Sequence, residues 1–152
     1  VTNKWENKRE ENKFFTVDQA NELTPLFQQE IILLQELKNK YDIKTAQLYD
    51  FKRVKAKTGN GIEEHKDTFF ILETEIEFIQ IEMQSIVYNI ESKGAILKDI
   101  DMGLIDFPTI IDGSEMELCW KYGEDKIKYY HGKNEGYYHR KPLEDDIQPE
   151  KE

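Results

Sequence analysis

Between residues 69 and 90 the apolar side chains Phe69, Leu72, Ile76, Ile79, Met83, Ile86 and Ile90 recur at intervals of 3, 4, 3, 4, 3 and 4. Only a helix with one packed seam uses that spacing. A second series, Glu30, Leu34, Leu37, Tyr41, Lys44, Leu48 and Phe51, carries the same intervals in mirror order. Thr58-Gly59-Asn60-Gly61 lies between them, with residues that stop a helix and tolerate positive φ. A chain doubled back about Asn60 opposes residues whose numbers sum to about 120: Phe51 with Phe69, Leu48 with Leu72, Tyr41 with Ile79, Leu37 with Met83, and Leu34 with Ile86. Lys44 and Glu30 interrupt the seam with long aliphatic stems. The prediction is an antiparallel helical hairpin whose arms are about 30 residues, or ~45 Å, long.

Thr16-Val17-Asp18-Gln19 has the form in which a hydroxyl and an amide cap each other's backbone N–H groups, so the first helix should start there. Pro25 predicts a kink or a short break, with the long helix running from about Leu26 to Val54. Residues 1–13 and 144–152 are dominated by charge and predict disordered tails. Between them stands one domain, 14–143, with the hairpin over 14–93 and a small sheet over 94–143. After Gly94 the pattern turns to short extended runs, 95–100, 115–122 and 126–131, joined by turns at 101–108, Asp112-Gly113 and Gly123-Glu124-Asp125. Met116, Leu118, Trp120 and Tyr122 alternate with Glu117, Cys119 and Lys121, as a half-buried strand requires. The fold class is therefore α+β: a kinked N-terminal helix, a long coiled-coil-like hairpin and a three-stranded antiparallel sheet at its open end.

A net charge of −10 argues against wrapping nucleic acid and against anionic membrane surfaces. The longest aliphatic run, 31–34, is too short to span a bilayer. A single cysteine excludes an internal disulfide, and with no apolar signal region in this sequence the expected compartment is the cytoplasm.

Ile71, Phe78, Ile81 and Tyr88 sit two residues off the second helix's seam and so point about 200° away from it. Such a stripe must be covered by the sheet or by another copy of the chain. Residues 67–91 also hold six acids and no Lys or Arg, which reads as a solvated flank, or as a docking face for a basic partner. Asp106, Cys119, His131 and Arg140 are the candidate catalytic residues: a thiol beside an imidazole supplies nucleophile and base, with an acid to orient the ring and a cation to hold an anionic group. Against that, lone cysteines mostly pack as small apolar groups, Cys119 shares strand parity with the exposed side, and Asp106 before Phe107-Pro108 can simply cap a turn. His139, Arg140 and Lys141 are the candidate ligand-binding residues for a small anion. His131 and His139 could join Asp106 or Cys119 around a metal, but no tight ligand spacing supports it, so no metal and no cofactor are expected. His65 reads as an exposed helix residue. Residues 126–141, with five basic residues and four tyrosines, have the composition of a single-stranded nucleic-acid binder, or of strand tyrosines on a core with lysines in water.

Lys98-Asp99, Gly103-Leu104, Asp106-Phe107-Pro108, Leu118-Cys119-Trp120, Gly123-Glu124, His131, Gly136, Arg140 and Pro142-Leu143 resemble the C-terminal signature of the bacterial and archaeal family called domain of unknown function 2203. Phe15-Thr16 with Ala20-Asn21 resembles its N-terminal opening, so the resemblance covers about 14–143. It implies no activity. The expected function is that of a cytoplasmic interaction or scaffold protein, self-associating through Ile71, Phe78, Ile81 and Tyr88 and carrying no recognisable enzyme motif. The alternatives are a small-molecule site at the sheet, or nucleic-acid binding through 126–141.

Overall fold

The computed structural model describes residues 13–58 and 65–144. Residues 1–12 and 145–152, most of the expected tails, lie outside the described residues, as does the Gly59-Asn60-Gly61 reversal. Two long helices, α1 (Val17–Thr58) and α2 (Lys66–Ser92), are followed by a five-stranded antiparallel sheet: β1 (Ile96–Asp99), β2 (Leu104–Ile111), β3 (Ser114–Lys121), β4 (Tyr129–Gly132) and β5 (Lys141–Pro142). The strands pair in chain order, each with its sequence neighbour. No described helix is long and apolar enough to cross a membrane.

The contacts form two units, one spanning 33–86 and the other comprising the described residues up to Ile32 and from Val87 onward. In the first, the arms of the hairpin pair in the expected register. Phe51 meets Phe69 edge to face with centroids 4.7 Å apart, Lys44 Nζ lies 2.7 Å from Glu75 Oε2, and Gln80 donates to the Tyr41 hydroxyl at 3.3 Å.

In the second unit the start of α1 is capped as its sequence requires. Thr16 N donates to Gln19 Oε1 at 3.0 Å, and Gln19 N donates to Thr16 Oγ1 at 3.1 Å. The break expected at Pro25 is absent, and α1 runs through it for 42 residues. Pro25 has no N–H for the Asn21 carbonyl, but the Thr24 hydroxyl donates to that oxygen at 3.0 Å and replaces the lost bond.

The sheet has five strands where the sequence predicts three, because 104–111 is a strand and not a turn-rich connection, and Lys141–Pro142 adds a short edge strand. Its residues are buried on both faces, so the period-2 signal vanishes. Pro108 is tolerated because β1 pairs only with 104–106 of β2, which leaves Pro108 at a sheet edge, and its carbonyl accepts a 2.7 Å bond from Phe15 N. Asp112 and Gly113, at φ 51° and 76°, close the tight β2–β3 hairpin. One sheet face is the apolar core. Phe107 packs edge to face on Phe15 at 5.2 Å and stacks on Phe27 at 5.8 Å, while Thr109 Oγ1 donates to the Phe15 carbonyl at 2.6 Å. Leu118 and Trp120 are fully buried, and Ile127 N donates to Asn21 Oδ1. The sheet thus docks on the first turns of α1.

Candidate functional site

The opposite face of the sheet is polar and also buried. Register puts Asp106 of β2 directly opposite Cys119 of β3, and Glu117 of β3 directly opposite His131 of β4. Asp106, Cys119 and His131 are 2%, 1% and 1% exposed. This corrects two expectations. Cys119 does share a face with Glu117 and Lys121, but that face is covered, and Asp106 stands in mid-strand and caps no turn. The turn-capping acid is Asp99, whose Oδ1 accepts from Met102 N at 2.8 Å.

One donor atom each from Asp106, Cys119 and His131 lies within 4.8 Å of the other two. His131 Nε2 is 3.0 Å from Asp106 Oδ2, and Nδ1 is 2.8 Å from the Gly132 carbonyl. A carbonyl only accepts, so Nδ1 carries a proton. With Nε2 donating to the carboxylate the ring is an imidazolium. The Asp106 hydrogen bond, helped by Cys119, pushes the His131 pKa up to about 10 against the effect of burial. Burial alone would raise Asp106, but His131, with smaller contributions from Glu117 and Cys119, outweighs it and holds the carboxyl below its usual range. Burial, and then the neighbouring Asp106, push Glu117 up to about 7. Burial likewise pushes the Cys119 thiol up, and the pull of His131 does not reverse it. Two buried carboxylate oxygens, Asp106 Oδ1 and Glu117 Oε2, make no hydrogen bond.

Arg140, the fourth catalytic candidate, is already engaged. Its Nη1 lies 2.9 Å from Glu124 Oε1, and its guanidinium stacks on Tyr129 at 4.2 Å and on Tyr137 at 4.4 Å. His139 ends a short 3₁₀ turn, Tyr137–His139, and Lys141 opens β5; both are exposed. Nothing described joins these two to Arg140 as one anion site. In the 126–141 stretch Lys128 pairs with Asp125 at 3.0 Å, and of the four tyrosines only Tyr138 is widely open, at 88%. His65, read as exposed, is half-buried against Phe51 and stands 2.6 Å from Lys55 Nζ.

Glu117 is the participant that sequence reasoning set aside, since alternation marked it as solvent-facing. It lines a cavity of about 150 Å³ with Lys13, Phe14, Pro108, Glu115, Met116 and Lys133. The proposed interface residues Ile71, Phe78, Ile81 and Tyr88 are 54%, 61%, 59% and 59% exposed.

A long helical pair leading into a meander sheet with one apolar face and one buried acid–imidazole–thiol face defines an α+β protein with a polar centre on its sheet. The chain belongs to the family described as uncharacterized conserved protein (DUF2203), whose model matches residues 13–143. No curated protein and no solved structure matches it.

Proposed function

We propose that this protein binds a divalent transition-metal ion of the zinc type at Asp106, Cys119 and His131, with Glu117, on the same buried sheet face, as a further donor. The observation that carries the reading is the convergence of a sulfur, a nitrogen and an oxygen donor beside a carboxylate oxygen that has no partner. Bonds of about 2.0–2.3 Å at tetrahedral angles set donor atoms about 3.3–3.5 Å apart, so the cluster needs only small side-chain movements to close on an ion. The Nδ1–H bond to Gly132 O is the outer contact that a ligating histidine usually makes, and it leaves Nε2 aimed at the cluster.

The enzymatic alternative is weaker. A buried thiol held in its neutral form is a poor nucleophile, and a substrate cannot reach it without opening the sheet. An ion is small enough to replace the protons on Nε2 and Sγ. The support is spatial, since the sequence offers no ligand spacing. A reducing compartment such as the cytoplasm suits this reading, because the thiol must stay reduced to ligate.

The test is equilibrium dialysis of the full chain, first stripped with chelator, against zinc, with metal counted by mass spectrometry, and titration with cobalt followed by absorption. One ion per chain and a thiolate-to-cobalt charge-transfer band, both lost in Cys119→Ser and Asp106→Asn, are expected. No retained metal, or retention equal in the variants, would make the cluster a structural ion pair.

A further inference from the structure

The 33–86 unit lacks a core of its own. Among its described apolar residues only Leu34 and Ile79 are buried, while Leu33, Ile43, Tyr49, Val54, Phe70, Ile71, Phe78 and Ile81 are exposed. Two helices can bury one seam each and no more, so the remaining apolar surface calls for further helices.

The placement of three of them, together with the charges, points to the occupant. At about 100° per residue, Ile43 on α1 and Ile71 and Phe78 on α2 each stand about 130° from the midline of their own seam in the same rotational sense. Because the helices run in opposite directions, those displacements fall on one broad side of the hairpin. The charges differ sharply between the arms. Residues 38–57 of α1 carry seven bases and two acids, whereas residues 67–82 of α2 carry five acids and no base. A partner laid with its α2 against this α2 would set acid against acid. One laid with its α1 there sets acid against base, and the two-fold operation repeats the favourable contact on the other pair.

We infer that the hairpin is a dimerisation module in which the α2 of each copy packs on the α1 of the other, giving a four-helix bundle of alternating charge. With the two-fold axis along the bundle, all four neighbouring pairs are antiparallel, and residues at one level again sum to about 120. Phe78 then lies level with Ile43 of the partner subunit, and Glu82 with Lys38 and Lys40 of the partner subunit. This inference does not depend on the metal site.

Sedimentation equilibrium on the full chain should give twice the 18.1 kDa chain mass, with dissociation enhanced at high salt. Phe78→Glu with Ile43→Glu should give a monomer whose helical circular dichroism is unchanged. Chains bearing Ile43→Cys mixed with chains bearing Phe78→Cys should be joined by a short bis-maleimide, while Phe78→Cys chains alone should not; the buried Cys119 is out of the reagent's reach. A monomer at hundreds of micromolar would overturn the inference. So would efficient linking of Phe78→Cys chains to each other, which would place α2 against α2.

Discussion

Replacing His131 by Leu keeps a side chain of similar bulk and removes both ring donors. Asp106, 2% exposed, would then lose its 3.0 Å partner at Oδ2 together with the positive charge that offsets its burial. Breaking a buried ion pair from one side costs about 3–5 kcal/mol. At about 2–4 °C per kcal/mol for a chain of this size, the melting temperature should fall by roughly 6–20 °C.

The loss should also follow pH in a set pattern. His131 has its pKa raised from 6.5 to about 10, so its contribution is complete below pH 6.5 and disappears as pH climbs through about 10. Asp106 is lowered from 3.8, so its contribution is present above 3.8 and disappears as pH falls through its folded value. The deficit of His131→Leu against wild type should therefore be largest near pH 6.5, fall toward pH 4 as burial makes Asp106 take up a proton in the variant, and shrink toward pH 10. Urea denaturation of both proteins with chelator present, at half-unit steps of pH, measures it. A deficit under about 1 kcal/mol at pH 6.5, or one that stays level to pH 10, would refute the buried imidazolium.

Glu117→Gln probes a different window. Its pKa, raised from 4.5 to about 7, means that wild-type stability declines as pH rises through that interval, and the glutamine variant should lack that decline in the same urea series. Gly103→Ala places a Cβ against the Tyr122 Cβ at φ +68°, and a loss of about 2 kcal/mol or more is expected in thermal unfolding. Phe107→Ala empties the space between Phe15 and Phe27, and should lower unfolding free energy by about 3–5 kcal/mol.

The hairpin was legible because heptad spacing and turn chemistry are local signals. A register deduced from numbers summing to about 120 reappears in Phe51 against Phe69 and Lys44 against Glu75. Strand β2 was illegible for the converse reason. Leu104–Ile111 is covered on both faces, so alternation is erased, and Asp106 and Pro108 mimic a turn until β1's short reach and the Asp106–His131 pair are seen. Pro25 does not break the helix because the compensating hydroxyl belongs to Thr24, whose rotamer no sequence reveals. Cys119 and Glu117 were assigned to solvent by correct parity. The error lay in equating the second face of a sheet with water, and what lies over a face is a tertiary fact. Asp106, Cys119 and His131 were chosen by residue type and by their nearness in sequence within a small sheet, and the strand register is what brings them together.

The strictly sequential pairing of the five strands has a kinetic consequence. Asp106, Cys119 and His131 are contributed by three successive strands, and the widest gap, Asp106 to His131, is 25 residues. The hydrogen bond from Thr109 to Phe15 must instead close a loop of 94 residues. Short loops close first. The polar cluster should therefore be assembled while the long helices are still finding their alignment, and an ion captured there would fasten the meander before the sheet docks on α1.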